Sequence, residues 1–369
     1  MKLRIRIPFN VAGRYRVKLV LAIAAFWTII DTAVYLYRFY FEHVQFNPDA
    51  WNINTTTVLV VRIVMIFGVC LLMAYLLVYI LKRVARHLPL WLSLCIKIIA
   101  MAAAAFVLNF VLHFTYIWLI ERQPTPEDIG EFNRYYHEIY KASMIIPHFT
   151  RWMAVFLFTI LFIEVNEKYS PGVFIDILSG KYLTPRIENR IVMFIDLVDS
   201  TPIAEQLGNR RYFRFIRDFI YFISTALLEN NGQIYQYVGD EVVASWKIKD
   251  ERSNRQCVKA LLDCRKILLR NKTYFQRTYN VVPEFRIGVH AGEVTVGEIG
   301  VIKKDLAMSG DIMNTTSRLR SISSELGQRF VASKEFVTAC NLNSELAVPL
   351  GKYDLKGKEF STEIFSLQF

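Results

Sequence analysis

Four long apolar runs fill the first half of the chain: Lys18 to Phe41, Val58 to Leu81, Leu90 to Ile120 and Ala142 to Val165. At about 1.5 Å per residue each is long enough to cross a bilayer as a helix, and the pattern predicts four membrane spans over residues 1–165. The first run is too long for a signal-peptide core and has no small-residue cleavage site, so it is expected to stay in place. The amino-terminal tail and the Lys82 to His87 turn are basic, whereas Glu42 to Thr57 carries Glu42 and Asp49 with no Lys or Arg. The loop from Glu121 to Tyr140 is also weighted to acids. Positive charge collects on the cytoplasmic side, so both termini of a multi-pass protein of the cell (inner) membrane are expected there. Asp31, Arg62, Lys97 and Arg151 fall within or near the runs, where an isolated charge is costly. Two readings are open: Asp31 and Arg62 pair at similar depth, or Arg62 and Lys97 snorkel to opposite interfaces.

The pattern changes after the fourth run. Asn166 to Arg190 contains Pro171-Gly172, Gly180 and Pro185, which punctuate a connector with room for one short amphipathic helix. From Ile191 to Phe369 the periods alternate. IVMFIDL reads as a buried strand, and residues 202–230 carry Ile203, Leu207, Phe215, Phe219, Ile223 and Leu227 at helical spacing before Asn230-Asn231-Gly232. QIYQYVGDEVVASW reads as two strands about a Gly-Asp turn, followed by a helix from Ser253 to Tyr279. FRIGVHAGEVTVGEIG reads as two strands around a glycine-bearing turn, SGDIMNTTSRL as a capped helix, and short strands are expected near Phe330 and from Tyr353 to Phe369. The order β-helix-β-β-helix-β implies an α+β sheet with helices on one face.

Composition sharpens this division. Hydrophobic residues make up 53% of 369 and mean hydropathy is +0.27, too apolar for one soluble globule. The net charge of +11 comes largely from Lys2, Arg4, Arg6, Arg14, Arg16, Lys18, Lys82, Arg83 and Arg86, beside apolar runs. That placement is topogenic and argues against nucleic-acid binding. Five cysteines show no metal-ligand spacing, and Cys257 and Cys264, two helical turns apart, read as core residues in a reducing cytosol.

Chemistry concentrates where the buried strand ends at Asp196 and the tight turn presents Asp240. If the two strands are neighbours, the carboxylates meet beside a helix N-terminus capped by Ser200 or Thr201, with Pro202 in its first turn. Two carboxylates suit hard divalent cations and helix-end amides suit phosphate, so the arrangement points to a nucleoside triphosphate with Mg²⁺. Asn314 and Arg318, four residues apart, share a helix face. Asp199 and Glu241 flank the metal ligands and are expected on the opposite strand face or in the turn. His290 is expected to be packed or hydrogen-bonded.

Taken together, FIDLVDST, YVGDEVV, FRIGVHAGEV, GDIMNTTSRL and DLKGK (Asp354 to Lys358) resemble, in order, the class III adenylyl and guanylyl cyclase catalytic domain. The resemblance implies a ferredoxin-like antiparallel sheet with helices and conversion of ATP, alternatively GTP, to a cyclic nucleotide and pyrophosphate. It implies two divalent cations, Mg²⁺ or Mn²⁺, held by Asp196, Asp240 and the Leu197 carbonyl. It also implies catalysis by Asn314 and Arg318, phosphate contact by Lys356 or Lys358, and a homodimer in which one chain holds half of each site. At the base-selecting positions, adenylyl cyclases have Lys and guanylyl cyclases Glu where this chain has Gln236, and adenylyl cyclases have Asp or Thr where it has Ala307. These departures leave base choice open among ATP, GTP or both. A membrane receptor whose cytoplasmic domain only binds nucleotide is the non-enzymatic alternative.

Overall fold

The computed structural model of the protein describes residues 11–41, 55–81, 88–89, 91–103, 106, 142–166, 176–177, 179–302, 304–355 and 361–368. The chain divides into two compact units, one made mainly of residues 13–168 and the other of residues 169–369.

The first unit is helical. It contains α1 (Val11–Phe41), α2 (Thr55–Tyr75, continued by a π-helical turn over Leu76–Leu81), α3 (Trp91–Ala103) and α4 (Ala142–Asn166). Among the described residues, two stretches are long and apolar enough to cross a membrane, Arg16–Tyr37 and Ile63–Leu81. The four expected spans reduce to those two on this criterion. The described part of α3 is short, and residues 107–120 of the third expected span lie outside the described residues.

Trp27, Met73, Met101, Phe156 and Ile160 are buried together in this unit. Trp27 Nε1 donates to Thr159 Oγ1 at 3.0 Å, so the indole N–H keeps a partner inside an apolar core. Lys97 does not snorkel: it is buried and pairs with Glu164 of α4. The expected Asp31–Arg62 pair rests on Arg62, whose side chain lies outside the described residues.

The second unit is built on one sheet. Its elements are β1 (Arg186–Leu197), α5 (Ser200–Glu229), β2 (Gln233–Val238), β3 (Glu241–Lys247), α6 (Glu251–Asn254), α7 (Gln256–Arg270), α8 (Lys272–Tyr279), β4 (Phe285–Ile299), β5 (Asp305–Ser309), α9 (Asp311–Glu325), β6 (Phe330–Ser333), α10 (Lys334–Ala339), β7 (Ala347–Tyr353) and β8 (Thr362–Leu367). The strands run in the order β2-β3-β1-β4-β6-β8-β7, with β5 paired to β4. The expected antiparallel sheet is mixed, because β4 and β6 pair in parallel while the other neighbours are antiparallel.

Alternation along β1 sorts the core. Ile191, Met193, Ile195 and Leu197 face a cluster with Phe215, Phe219 and Ile223 of α5 and Leu261 and Cys264 of α7. Val192 and Phe194 face the other way and pack with Ile312 of α9. The helices therefore cover both faces, not one.

Three further expectations change. Residues 285–299 form one continuous strand without a turn. Gly288 serves a close approach instead: a Cβ there would lie 2.3 Å from the Arg320 backbone N and 2.5 Å from the Thr316 carbonyl O, so only glycine lets α9 sit so near β4. The helix after β1 breaks at Gly208, whose φ of 69° is left-handed. The helix expected over Ser253 to Tyr279 is divided into α6, α7 and α8.

Candidate active site

Strand register carries the first carboxylate to the second. Ile195 of β1 lies opposite Val242 of β3, and Val238 lies opposite Glu241 across the Gly239-Asp240 turn. Gly239 takes a φ of 62°, the conformation a tight turn asks of it. Asp196, next to last in β1, thus lies beside the turn bearing Asp240, as the neighbouring-strand expectation requires. α5 opens after Asp199, not after Ser200 or Thr201: Asp199 is the N-cap residue, in a left-handed conformation (φ 55°), and makes no side-chain cap bond. The first-turn amides of α5 are left without a side-chain acceptor, the state that receives an anion.

Two arginines converge on the same carboxylate oxygen. Arg286, opposite Asp196 in the β1–β4 register, donates from Nε to Asp196 Oδ2 at 3.1 Å, and Arg320 Nη1 lies 3.5 Å from that atom. Arg320 Nε is also 3.1 Å from Glu241 Oε2, yet the two are misaligned and neither makes a hydrogen bond. Glu241 therefore lies on the Asp196 face of the sheet, contrary to expectation, since strand alternation puts it on the side of Val243 and Phe194. Asp240 Oδ2 is buried with no partner among the described residues.

Burial pushes the Asp196 carboxyl above its ordinary range, with Asp240 adding to the rise while Arg320 and Arg286 oppose it. Glu241 is raised for the same first reason, against the pull of Arg320. The Tyr212 hydroxyl of α5 is raised too, by burial and then by the charge of Asp240. Three acids share a poorly solvated corner with two arginines and an orphaned oxygen, an arrangement that leaves bonding capacity unused.

Among the described residues no group of three or more His, Cys, Asp or Glu side chains is gathered to hold a metal. The expected donor set is the two carboxylates and a strand-end carbonyl, all hard oxygens. Its fit to a divalent cation rests on the unpartnered Asp240 Oδ2.

The expected catalytic pair is placed elsewhere. α9 turns Ile312, Thr316 and Leu319 inward, whereas Asn314 is exposed and Arg318 half-buried. Neither Asn314 nor Arg318 makes a side-chain hydrogen bond or ion pair among the described residues. Arg320, four residues beyond buried Thr316, belongs to the inward stripe, and that spacing was the sequence signal for it. One chain therefore joins Asp196, Asp240, Glu241 and Arg320 but does not bring Asn314 and Arg318 to them.

The positions expected to select the base adjoin a bonded pair of residues. Gln236 is exposed on β2 beside a bulge at Tyr235, and the Tyr235 hydroxyl accepts the Met308 N–H at 3.0 Å, tying β2 to β5 one residue from Ala307. Lys356 and Lys358 lie outside the described residues. His290 is buried with Nδ1 2.7 Å from Ser333 Oγ, in keeping with a packed role.

The chain belongs to the adenylate and guanylate cyclase catalytic domain family, which matches residues 183–368. Adenylate cyclase 2 of Rhizobium meliloti (strain 1021) is 29% identical over 209 residues, covering 56% of this chain and 58% of that protein. Adenylate cyclase 1 of the same strain is 28% identical over 181 residues, covering 47% of this chain and 27% of that protein. The chain thus spans 58% and 27% of the length of these two relatives. A bacterial light-regulated adenylyl cyclase shares the fold at a TM-score of 0.52 and 18% identity, over 62% of this chain and 67% of that one.

Proposed function

We propose that the protein is a membrane-bound adenylate cyclase that converts ATP to 3′,5′-cyclic AMP and pyrophosphate at a homodimer interface. In this reading residues 1–165 anchor it, residues 166–190 connect, and residues 191–369 catalyse, with both termini cytoplasmic. The observation that carries it is the division of labour within one chain: the acids Asp196 and Asp240 are gathered with an orphaned oxygen, while exposed Asn314 and half-buried Arg318 have no side-chain partner among the described residues. Two copies related by a two-fold axis supply each site with both halves.

Asp196, Asp240 and the Leu197 carbonyl would hold two divalent cations, Mg²⁺ or Mn²⁺. When bound, these make the ribose 3′-hydroxyl more acidic and neutralise charge on the leaving group. The 3′-oxygen bonds to the α-phosphorus as the bond to the β-phosphate oxygen breaks. Asn314 of one protomer orients the ribose through its amide. Arg318 presents its fork of donors to the charge growing on the α-phosphoryl oxygens, which needs no reorganisation if the fork is already aimed. The uncapped first turn of α5 receives phosphate oxygens, with Lys356 or Lys358 as additional contacts.

GTP is the second substrate reading, favoured by one observation: Gln236 both donates and accepts, and Ala307 offers no side-chain hydrogen bond to enforce adenine. Incubating the purified full chain with ATP or GTP and Mn²⁺ or Mg²⁺ tests both readings, with cyclic AMP as the expected main product. Mixing Asp240→Ala chains with Arg318→Ala chains tests the shared site. Random pairing should restore about a quarter of the wild-type sites from two inactive proteins, and no recovery would contradict the dimer.

A further inference from the structure

We infer that Arg320 is a built-in cation that sets how tightly the Asp196–Asp240 site takes a divalent metal, an inference that rests on reading those two acids as the cation holders. Five charged groups meet here: Asp196, Asp240 and Glu241 against Arg286 and Arg320, with the Tyr212 hydroxyl alongside. The arginines are held differently. Arg286 is a cross-strand neighbour of Asp196 with an aligned hydrogen bond. Arg320 reaches in from α9, 3.5 Å from Asp196 Oδ2 and 3.1 Å from Glu241 Oε2, with its Nε unsatisfied.

The Arg320 main chain is packed against β4. Its N and Cα lie 2.3 and 2.9 Å from where a Cβ on Gly288 would be, so the helix is seated directly on β4 at this residue. The side chain is 28% exposed and its Nε makes no hydrogen bond, so it has fewer ties than the backbone that carries it.

A divalent ion arriving at Asp196 meets a positive charge already there and must bind against it. Glu241 supplies the place to which the guanidinium retreats. Arg320 is a positioning residue in this scheme: it touches the acids, not the substrate, and it keeps buried Asp196 and Glu241, beside half-buried Asp240, tolerable in the metal-free protein.

Mn²⁺ binding to the purified full chain, read as loss of the free-ion paramagnetic resonance signal, tests this without catalysis. Wild type is compared with Asp240→Ala and with two uncharged replacements of similar length, Arg320→Gln and Arg320→Met, so that one remains if the other misfolds. Removing a unit charge a few ångströms from the site should tighten Mn²⁺ binding by about tenfold. Mn²⁺ should then raise the melting temperature of the Arg320 variants more than that of wild type. A merely structural arginine would give weaker or unchanged binding, and that result overturns the inference. Equal Mn²⁺ uptake by wild type and Asp240→Ala would instead remove the cation-holding role itself, and this inference with it.

Discussion

Two clusters of acids and arginines share strand β1, one near its start and one at its end, and they are built to opposite rules. Near the start, Arg190 is 1% exposed, and every contact it makes is a good one. Its Nε donates to Glu188 Oε2 at 2.8 Å, and its Nη1 donates to Gln233 Oε1 at 2.8 Å and Ser245 Oγ at 2.9 Å. Glu188 also accepts from the Tyr182 hydroxyl at 3.2 Å, with Lys247 3.5 Å away. Burial pushes Glu188 up, but the hydrogen bond and charge of Arg190, then Lys247 and Lys181, outweigh it and hold the carboxyl below its ordinary range. At the far end, burial wins for Asp196 and Glu241, Arg320 is misaligned and Asp240 keeps an orphaned oxygen. The saturated cluster stabilises the sheet; the unsaturated one holds its bonding capacity for a ligand.

The sharpest way to break the comparison is to remove one acid from each end. Asp240→Ala should lower cyclic-nucleotide synthesis by about a thousandfold or more, since in the proposed mechanism it removes a ligand from the reacting centre. Its thermal unfolding, followed by circular dichroism, should be unchanged or later, because the lost oxygen had no partner. Glu188→Gln should do the reverse. Leaving buried Arg190 without its counter-charge costs about 3 kcal/mol of stability, with turnover per folded molecule unchanged.

Acid titration separates the ends more gently. A carboxyl lowered by folding contributes stability above its unfolded value, 4.5 for Glu188, and that contribution is lost as pH falls through the lower folded value. Asp196 and Glu241 carry the opposite sign, their contribution being present at low pH and lost as pH rises through their elevated values. Stability measured against pH should therefore fall below about 4.5 in wild type, and the fall should be shallower in Glu188→Gln. An equally steep fall in that variant would place the acid-sensitive group elsewhere.

Which parts of this were legible in the sequence follows from how local each signal is. The Asp196 strand and the Asp240 turn were readable because a β-branched run and a Gly-Asp pair state their geometry within a few residues. β4 was misread because its glycines look like turn residues, while one of them, Gly288, serves contact with α9, 28 to 32 residues further along the chain. Arg320 was passed over because Asn314 and Arg318 define the outward face of α9, and the acids that Arg320 meets come from β1 and β3. Lys97 and Glu164 sit 67 residues apart in separate apolar runs, and nothing local connects them. Helix coverage of both sheet faces was likewise set by packing, not by element order.

The smallest expected effect concerns the base, and it asks whether the withheld bonding seen around Asp240 extends to substrate choice. Gln236 ends on the exposed side of β2, and the Tyr235 bond to Met308 keeps it near Ala307 on β5. A lysine at position 236 donates only, which suits the acceptor N1 of adenine, and an aspartate at 307 accepts from the adenine amino group. A glutamate at 236 accepts only, which suits the N1–H and amino group of guanine. Glutamine serves either edge by rotating its amide, so the wild-type ratio of kcat/KM for ATP over GTP should be modest. Gln236→Lys with Ala307→Asp should raise that ratio by about tenfold, and Gln236→Glu should lower it by about as much, roughly 1.4 kcal/mol each way. Rates with both triphosphates, measured side by side on the three proteins, read the effect directly. A ratio that stays constant across all three would mean that β2 and β5 do not touch the base.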